Sequence, residues 1–243
     1  MTLSVIIPTL NEEVALPVVL KALQNQTHIN EVIVVDGGSE DATCALARAF
    51  GARVIDAPRG RGQQLCAGVE AAAGDVLWFL HADTVPQPWA SGAIARALET
   101  APDAPGGNFR VIFEGETPFA AWLTGFYAWL RSRGIYYGDS AVFVRRTIYD
   151  RIGGLRPTAL MEDYDFNRRL EREGHTLNIE EPAVITSSRR FQDRRPWRIV
   201  LQWLVIHAMY YTRMSSEHMA RLYRSADHTP GLVASSRTPD QKK

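Results

Sequence analysis

Apolar and polar positions alternate between two periods along the first hundred residues. Short, β-branched runs at 3–7, 31–35, 52–55 and 76–80 are separated by stretches with helical spacing at 11–24, 41–50 and 61–73. Near-continuous apolar strands between amphipathic helices predict βαβ units and a parallel sheet covered on both faces. Pro8 ends the first run, and Thr9 with Glu12 fits a capping box that would start the first helix. Beyond residue 100 the rhythm changes. A strand is expected at 106–113. A helix is expected at 119–130, with Phe119, Trp122, Leu123, Phe126, Tyr127 and Leu130 on one face. A strand at 141–144 and a helix at 163–173, stopped by Gly174, follow. The stretch 199–211 reads as a helix apolar nearly all round. Residues 1–224 read as one domain and 225–243 as a disordered tail.

Composition narrows the class. With 46% hydrophobic and 22% charged residues the chain is too apolar for disorder and too polar for a multi-span membrane protein. Lys plus Arg and Asp plus Glu both number 27, so no basic bias points to nucleic acid. Cys44 and Cys66 cannot make a disulfide framework, and Met1-Thr2-Leu3, with Pro8 to Glu13 interrupting the apolar run, does not read as a secretory signal, so export is not expected. The expected location is the cytoplasm, with peripheral attachment to the inner membrane face as the alternative. Two stretches lack charge, 117–130 and 199–212. As helices each reaches about 21 Å, short of the roughly 30 Å hydrocarbon core. Their aromatic residues leave two readings open. One is core or homodimer packing. The other is a docking face for a lipid-linked acceptor or a membrane, favoured by Arg131, Arg133 and the basic run 189–198.

Candidate chemistry lies beyond the carboxyl ends of the strands, where open parallel sheets bind ligands. Asp36 follows Val35 directly and could accept hydrogen bonds from a base or ribose, with Gly37 and Gly38 allowing close approach. A turn capped by Asp36 is the plainer reading. Arg59, Arg61, Gln63 and Gln64 sit in a glycine-spaced loop that suits phosphate or open solvent. Asp83 is a hard oxygen ligand for a divalent cation carrying a diphosphate, and His81 is a ligand or a packing residue. Glu162 and Asp163 open a helix. Gly138-Asp139-Ser140 precedes a strand and suits an acceptor wall or a turn. Arg189, Arg190, Arg194, Arg195 and Arg198 form a basic cluster that suits a diphosphate, an acidic lipid surface or water.

Taken in order, these pieces resemble the family 2 glycosyltransferases. The set is Val5-Ile6-Ile7-Pro8-Thr9-Leu10-Asn11-Glu12, Val34-Val35-Asp36-Gly37-Gly38-Ser39, Ala67-Gly68 to Gly74-Asp75, Leu80-His81-Ala82-Asp83, and Glu162-Asp163. The loop Ala57-Pro58-Arg59-Gly60-Arg61-Gly62-Gln63-Gln64 narrows the likeness to short bacterial members often named as radical-SAM or selenodomain-associated transferases. The resemblance implies an α/β, GT-A fold: a Rossmann-like, mostly parallel mixed sheet flanked by helices, with C-terminal helices. It implies a nucleotide-diphosphate-sugar donor, a UDP-sugar first of all, and Mn²⁺ or Mg²⁺. By that match Pro8, Thr9, Asn11, Glu12, Asp36, Gly37 and Gly38 lie at the nucleoside. Arg59, Arg61, Gln64 and Ala82 complete the donor side.

Asp83 matches the last acid of the family's Asp-x-Asp metal motif, and His81 stands where the first Asp usually is. Cys66 stands where Asn is common. Asp163, paired with Glu162, matches the catalytic base, and Gly138, Asp139, Arg189 and Arg190 fall on the acceptor or phosphate side. One base and no carboxylate nucleophile imply inversion. A sugar-nucleotide pyrophosphorylase would carry a glycine-rich loop where Thr9-Leu10-Asn11-Glu12 stands. A dinucleotide-binding oxidoreductase would need a third glycine where Leu65 stands. A non-catalytic nucleotide-binding protein of the same fold stays open because His81 replaces an acid.

Overall fold

A computed structural model describes residues 1–115, 117–188 and 196–227. The first half follows the expected rhythm: β1 (Leu3–Thr9), α1 (Leu16–Gln24), β2 (Ile29–Asp36), α2 (Thr43–Ala49), β3 (Arg53–Asp56), α3 (Arg61–Ala71) and β4 (Val76–Phe79). Then come β5 (Thr84–Pro86), α4 (Ala90–Thr100), β6 (Gly106–Phe113), α5 (Pro118–Arg131), β7 (Phe143–Arg145) and α6 (Arg146–Arg151). The chain continues through α7 (Glu162–Glu173), β8 (Leu177–Thr186), α8 (Pro196–Tyr211) and α9 (Ser216–Asp227). The strands make one sheet in the order β3-β2-β1-β4-β7-β6-β8-β5. Pairings among β1, β2, β3 and β4 are parallel, as is β6 with β8, while β7 and β5 run antiparallel to their neighbours. The parallel half is the one the alternation predicts, and the whole is the mixed, Rossmann-like sheet that the family resemblance implies.

The parallel half is buried on both faces, which is why its strands are apolar throughout. Leu3, Val5 and Ile7 of β1 pack with Leu16, Val19, Leu20 and Leu23 of α1 on one side. Ile6 packs with Ile33, Val35, Leu65 and Val69 on the other. Helix α3 lies so close to the sheet that a Cβ on Gly68 would stand 2.4 Å from Ile6 Cγ2 and 2.9 Å from Val35 Cγ2. A side chain there would force the helix off the strands that carry Thr9 and Asp36.

Several boundaries differ from the expectation. Helix α1 starts at Leu16, not at residue 11, and the Thr9–Glu12 capping box does not form. Thr9 is still in β1, paired in register with Asp36, and Asn11 takes a left-handed backbone (φ 54°). The segment between strand and helix is thus a loop at the carboxyl end of β1, bonded to the loop that follows β2. Helix α4 was not among the expected elements; its buried face combines the small residues Ala90, Ser91, Gly92, Ala93 and Ala95 with Ile94 and Leu98. Strand β8 went unread because Glu180-Glu181-Pro182 interrupts its apolar run, and the β6–β8 register shifts there, between Phe109 and Val111. Helix α9 runs to Asp227, so 225–227 are helical, while the rest of the expected tail, 228–243, lies outside the described residues. No helix among the described residues is long and apolar enough to cross a membrane.

Candidate active site

The ends of β1, β2 and β3 bring Thr9, Asp36 and Asp56 into one row. Asp36 is buried. Its Oδ2 accepts from the Gly38 and Ser39 amides at 2.9 and 2.8 Å, and its Oδ1 accepts from the Ser39 hydroxyl. The plainer reading of Asp36, a turn, is thus realised. Burial works against the charged form, but the Ser39 and Gly38 donors outweigh it and hold the Asp36 carboxyl below its ordinary value. Gln64 is buried too. Its amide donates to the carbonyls of Thr9 and Val35, both at 2.8 Å, so it ties α3 to β1 and β2. Asn11 and Ser39 link the two loops: the Asn11 amide donates to Ser39 Oγ, and Asn11 Oδ1 accepts from the Glu40 amide. Glu12 joins them, its amide donating to Thr43 Oγ1. Pro8 is half-buried, Ala82 and Gly37 are buried, and Gly38 and Arg59 are exposed at this edge. Cys66 donates to the Leu155 carbonyl at 3.4 Å and packs against the second core.

The second group gathers around a cleft of about 390 Å³ whose walls include Arg61, His81, Asp83, Asp139, Glu162 and Asp163. Met161 (φ 65°) turns the chain into α7, which places Glu162 and Asp163 in the first helical turn, where backbone N–H groups favour negative charge. Asp163 Oδ1 accepts from the Tyr164 amide at 2.7 Å. Its Oδ2 accepts from the Gly138 amide at 2.8 Å and from Arg61 Nη2 at 3.0 Å. Burial would raise this carboxyl, but the Arg61 charge and the two amides prevail and hold it low. Glu162 is buried and takes Arg61 Nε. Arg61 Nη1 lies 3.4 Å from His81 Nε2, and since a guanidinium only donates, Nε2 is the acceptor of that contact. A Cβ on Gly138 would sit 2.8 Å from His81 Nε2 and 3.1 Å from Asp163 Oδ2, so a side chain there would displace the ends of these two groups.

Asp139 follows in a short 3-10 turn (Gly138–Ser140). Its Oδ1 is buried and has no hydrogen-bond partner among the described residues, while the Tyr127 hydroxyl donates to the carboxylate. Burial, then the like charge of Asp163, pushes Asp139 up to about 7, against the pull of Tyr127 and Arg61. A carboxyl raised in this way makes the fold lose stability as pH climbs from its ordinary value of 3.8 to about 7. In metal-free buffer the melting temperature of Asp139→Asn should therefore gain on wild type between about pH 5 and about pH 8. Thermal scans at the two pH values check this, and an unchanged gap would contradict it.

Helices α8 and α9 bring residues that no local motif disclosed. Trp203, Ile206, His207 and Tyr223 line the same cleft, with Tyr127 and Tyr137 opposite. His207 Nδ1 lies 2.8 Å from the Trp203 carbonyl, so it carries the hydrogen, and Nε2 accepts from the Tyr137 hydroxyl at 2.9 Å. This bond ties α8 to the loop that leads into Gly138 and Asp139. The only advance signal was aromatic periodicity, which marked helices but not which rings enter the site. Of the arginine cluster, 189, 190, 194 and 195 lie outside the described residues, and Arg198 is exposed on α8.

Among the described residues no group of three or more His, Cys, Asp and Glu side chains is arranged to hold a metal ion. Asp83 and the unpartnered Oδ1 of Asp139 nonetheless give one cleft two hard oxygen donors. That set fits a divalent cation that takes most of its ligands from substrate phosphates and water.

Comparison with known proteins gives the family and the fold. Residues 4–157 match the family described as Glycosyl transferase family 2, and the chain belongs to it. A probable glycosyltransferase of Bacillus subtilis, YdaM, is 28% identical over 221 residues, covering 81% of this chain and 52% of that protein. The chain thus spans about half the length of that relative. The crystal structure of S. aureus TarS 1–349 in complex with UDP-GlcNAc superposes with a TM-score of 0.62 at 16% identity, over 91% of this chain and 70% of that one. Glucosyl-3-phosphoglycerate synthase from Mycobacterium tuberculosis, in complex with Mn²⁺ and UDP-glucose, gives 0.57 at 20% identity, over 88% and 79%. The fold is accordingly of the GT-A type.

Proposed function

We propose that the chain transfers a sugar from a nucleotide-diphosphate sugar to an acceptor hydroxyl, with inversion at the anomeric carbon and Asp163 as the general base. The observation that carries this is the place of Asp163 at the start of α7, in the wall of the cleft that also contains Asp83 and Arg61. The nucleoside takes the edge formed by Pro8, Thr9, Asn11, Glu12, Asp36, Gly37 and Gly38, with a UDP-sugar the first candidate. Asp83 would hold Mn²⁺ or Mg²⁺ with the diphosphate. When bound, the cation neutralises charge on the leaving group. His81 is the second candidate ligand for that ion, and its Nε2 lies 3.4 Å from Arg61 Nη1.

Arg61 adds a fixed positive charge beside the same phosphates. As it turns toward them, Asp163 Oδ2 loses a donor and gains basicity. The acceptor oxygen then attacks the anomeric carbon while the bond from that carbon to the diphosphate oxygen breaks. The acceptor proton ends on Asp163 and the electron pair on the departing diphosphate. Gly138 and Asp139 form the acceptor wall.

The anomeric configuration of the product, read by NMR, tests the mechanism. An α-linked donor should give a β-linked product. Retention would contradict the assignment, since it needs a nucleophile that forms a covalent intermediate with the sugar.

A further inference from the structure

The exposed side of α5 and α8 is apolar in a way that core packing does not explain. Trp122 and Trp129 of α5 are 44% and 51% exposed, and Trp197 and Leu204 of α8 are 57% and 63% exposed. Between the helices runs an open groove of about 840 Å³, walled by Phe119, Trp122, Trp197, Val200, Leu201 and Leu204. Along α5 the rings of Phe119, Trp122, Phe126 and Trp129 stack in sequence at 5.7, 5.1 and 5.9 Å, within 17° of parallel at each step. Phe126 also stacks on Trp203 of α8, at 6.3 Å and 6°. Trp203 lines the catalytic cleft as well, so the apolar face adjoins the cleft.

Charge tells what this face meets. Neither α5 nor α8 contains an acidic residue. Arg133, just past α5, lays its guanidinium 3.9 Å from the centre of the Trp129 ring, and Arg198 lies 5.3 Å from that of Trp197. Cations resting on exposed tryptophans at the border of an apolar face are the arrangement of an interface between lipid and water, where the ring enters and the charge stays at the headgroups. A two-fold dimer through this face would instead set basic rim against basic rim, with no acid on either helix to answer it. No helix among the described residues can cross a bilayer, so contact would be in the plane of the surface.

We propose that the face formed by α5 and α8 docks on an anionic lipid bilayer, with the exposed tryptophans and Leu204 entering the headgroup region and Arg133 and Arg198 pairing with lipid phosphates. The proposal does not depend on the transfer chemistry. It is tested by sedimenting the full chain with vesicles of phosphatidylglycerol or phosphatidylcholine at low and high salt. Binding is expected to phosphatidylglycerol vesicles, weaker in high salt. It should fall about tenfold or more in Trp197→Ser with Leu204→Ser, both exposed and so compatible with folding, and likewise in Arg133→Glu with Arg198→Glu. Absence of binding, equal binding to both vesicle types, or unchanged binding by the correctly folded variants would overturn it. A dimer in solution that Trp197→Ser with Leu204→Ser breaks, without vesicle binding, would overturn it in favour of a subunit interface.

Discussion

Asp163→Asn is expected to lower turnover about 10²–10⁴-fold while nucleotide-sugar affinity stays near that of wild type. The amide keeps the size of the side chain and one acceptor oxygen, so one of the two amide contacts, from Gly138 or from Tyr164, keeps its acceptor and the other is lost. What is lost is the ability to take the acceptor proton. Steady-state kinetics with a separate binding titration check this. If donor affinity falls in step with turnover, the acid organises the site rather than acting as the base. Glu162→Gln gives the contrast. Glu162 is buried against Arg61, so its loss should disturb the guanidinium and cost less than the loss of the base. A dead Glu162→Gln beside an active Asp163→Asn would reassign the proton transfer.

The second large effect belongs to Asp83. Asp83→Asn should reduce activity about 10²-fold or more at low Mn²⁺, with partial recovery as the cation is raised, because a neutral amide is a poorer ligand for a hard ion. Full activity at low Mn²⁺ would remove Asp83 from the metal site. His81→Ala should cost less, since the imidazole is neutral and in contact with Arg61, whereas Asp83 brings the charged oxygen ligand a hard ion prefers.

The strands of the first half were legible because β-branched runs buried on both sides leave few alternatives, as in Val32-Ile33-Val34-Val35 before Asp36. The order of the acids at their ends was legible for the same reason. The start of α1 was not. Thr9 and Glu12 have the spacing of a capping box, but Thr9 is held in the sheet opposite Asp36, so tertiary pairing overrode the local signal. Strand β8 escaped because its two apolar pieces are separated by a charged, proline-containing irregularity that pairs only in three dimensions. The aromatic wall of the cleft was hidden for another reason. The bond between Tyr137 and His207 joins residues 70 apart in sequence, and no periodicity encodes it. The burial that sets Asp139 apart from an ordinary turn residue arises only when α5 and α7 close on it, bringing Tyr127 and Asp163 alongside.

The central claim is that this cleft and the adjoining β1–β2 edge bind a nucleotide sugar together with a divalent cation. Thermal unfolding across a panel of UDP- and GDP-sugars, each with and without Mn²⁺ or Mg²⁺, tests it most directly, because a ligand that binds only the folded state raises its melting temperature. At least one nucleotide sugar should raise the melting temperature by several degrees with the cation and far less without it, the gain shrinking in Asp83→Asn and persisting in Asp163→Asn. A melting temperature that no nucleotide sugar moves, with either ion, would contradict the account.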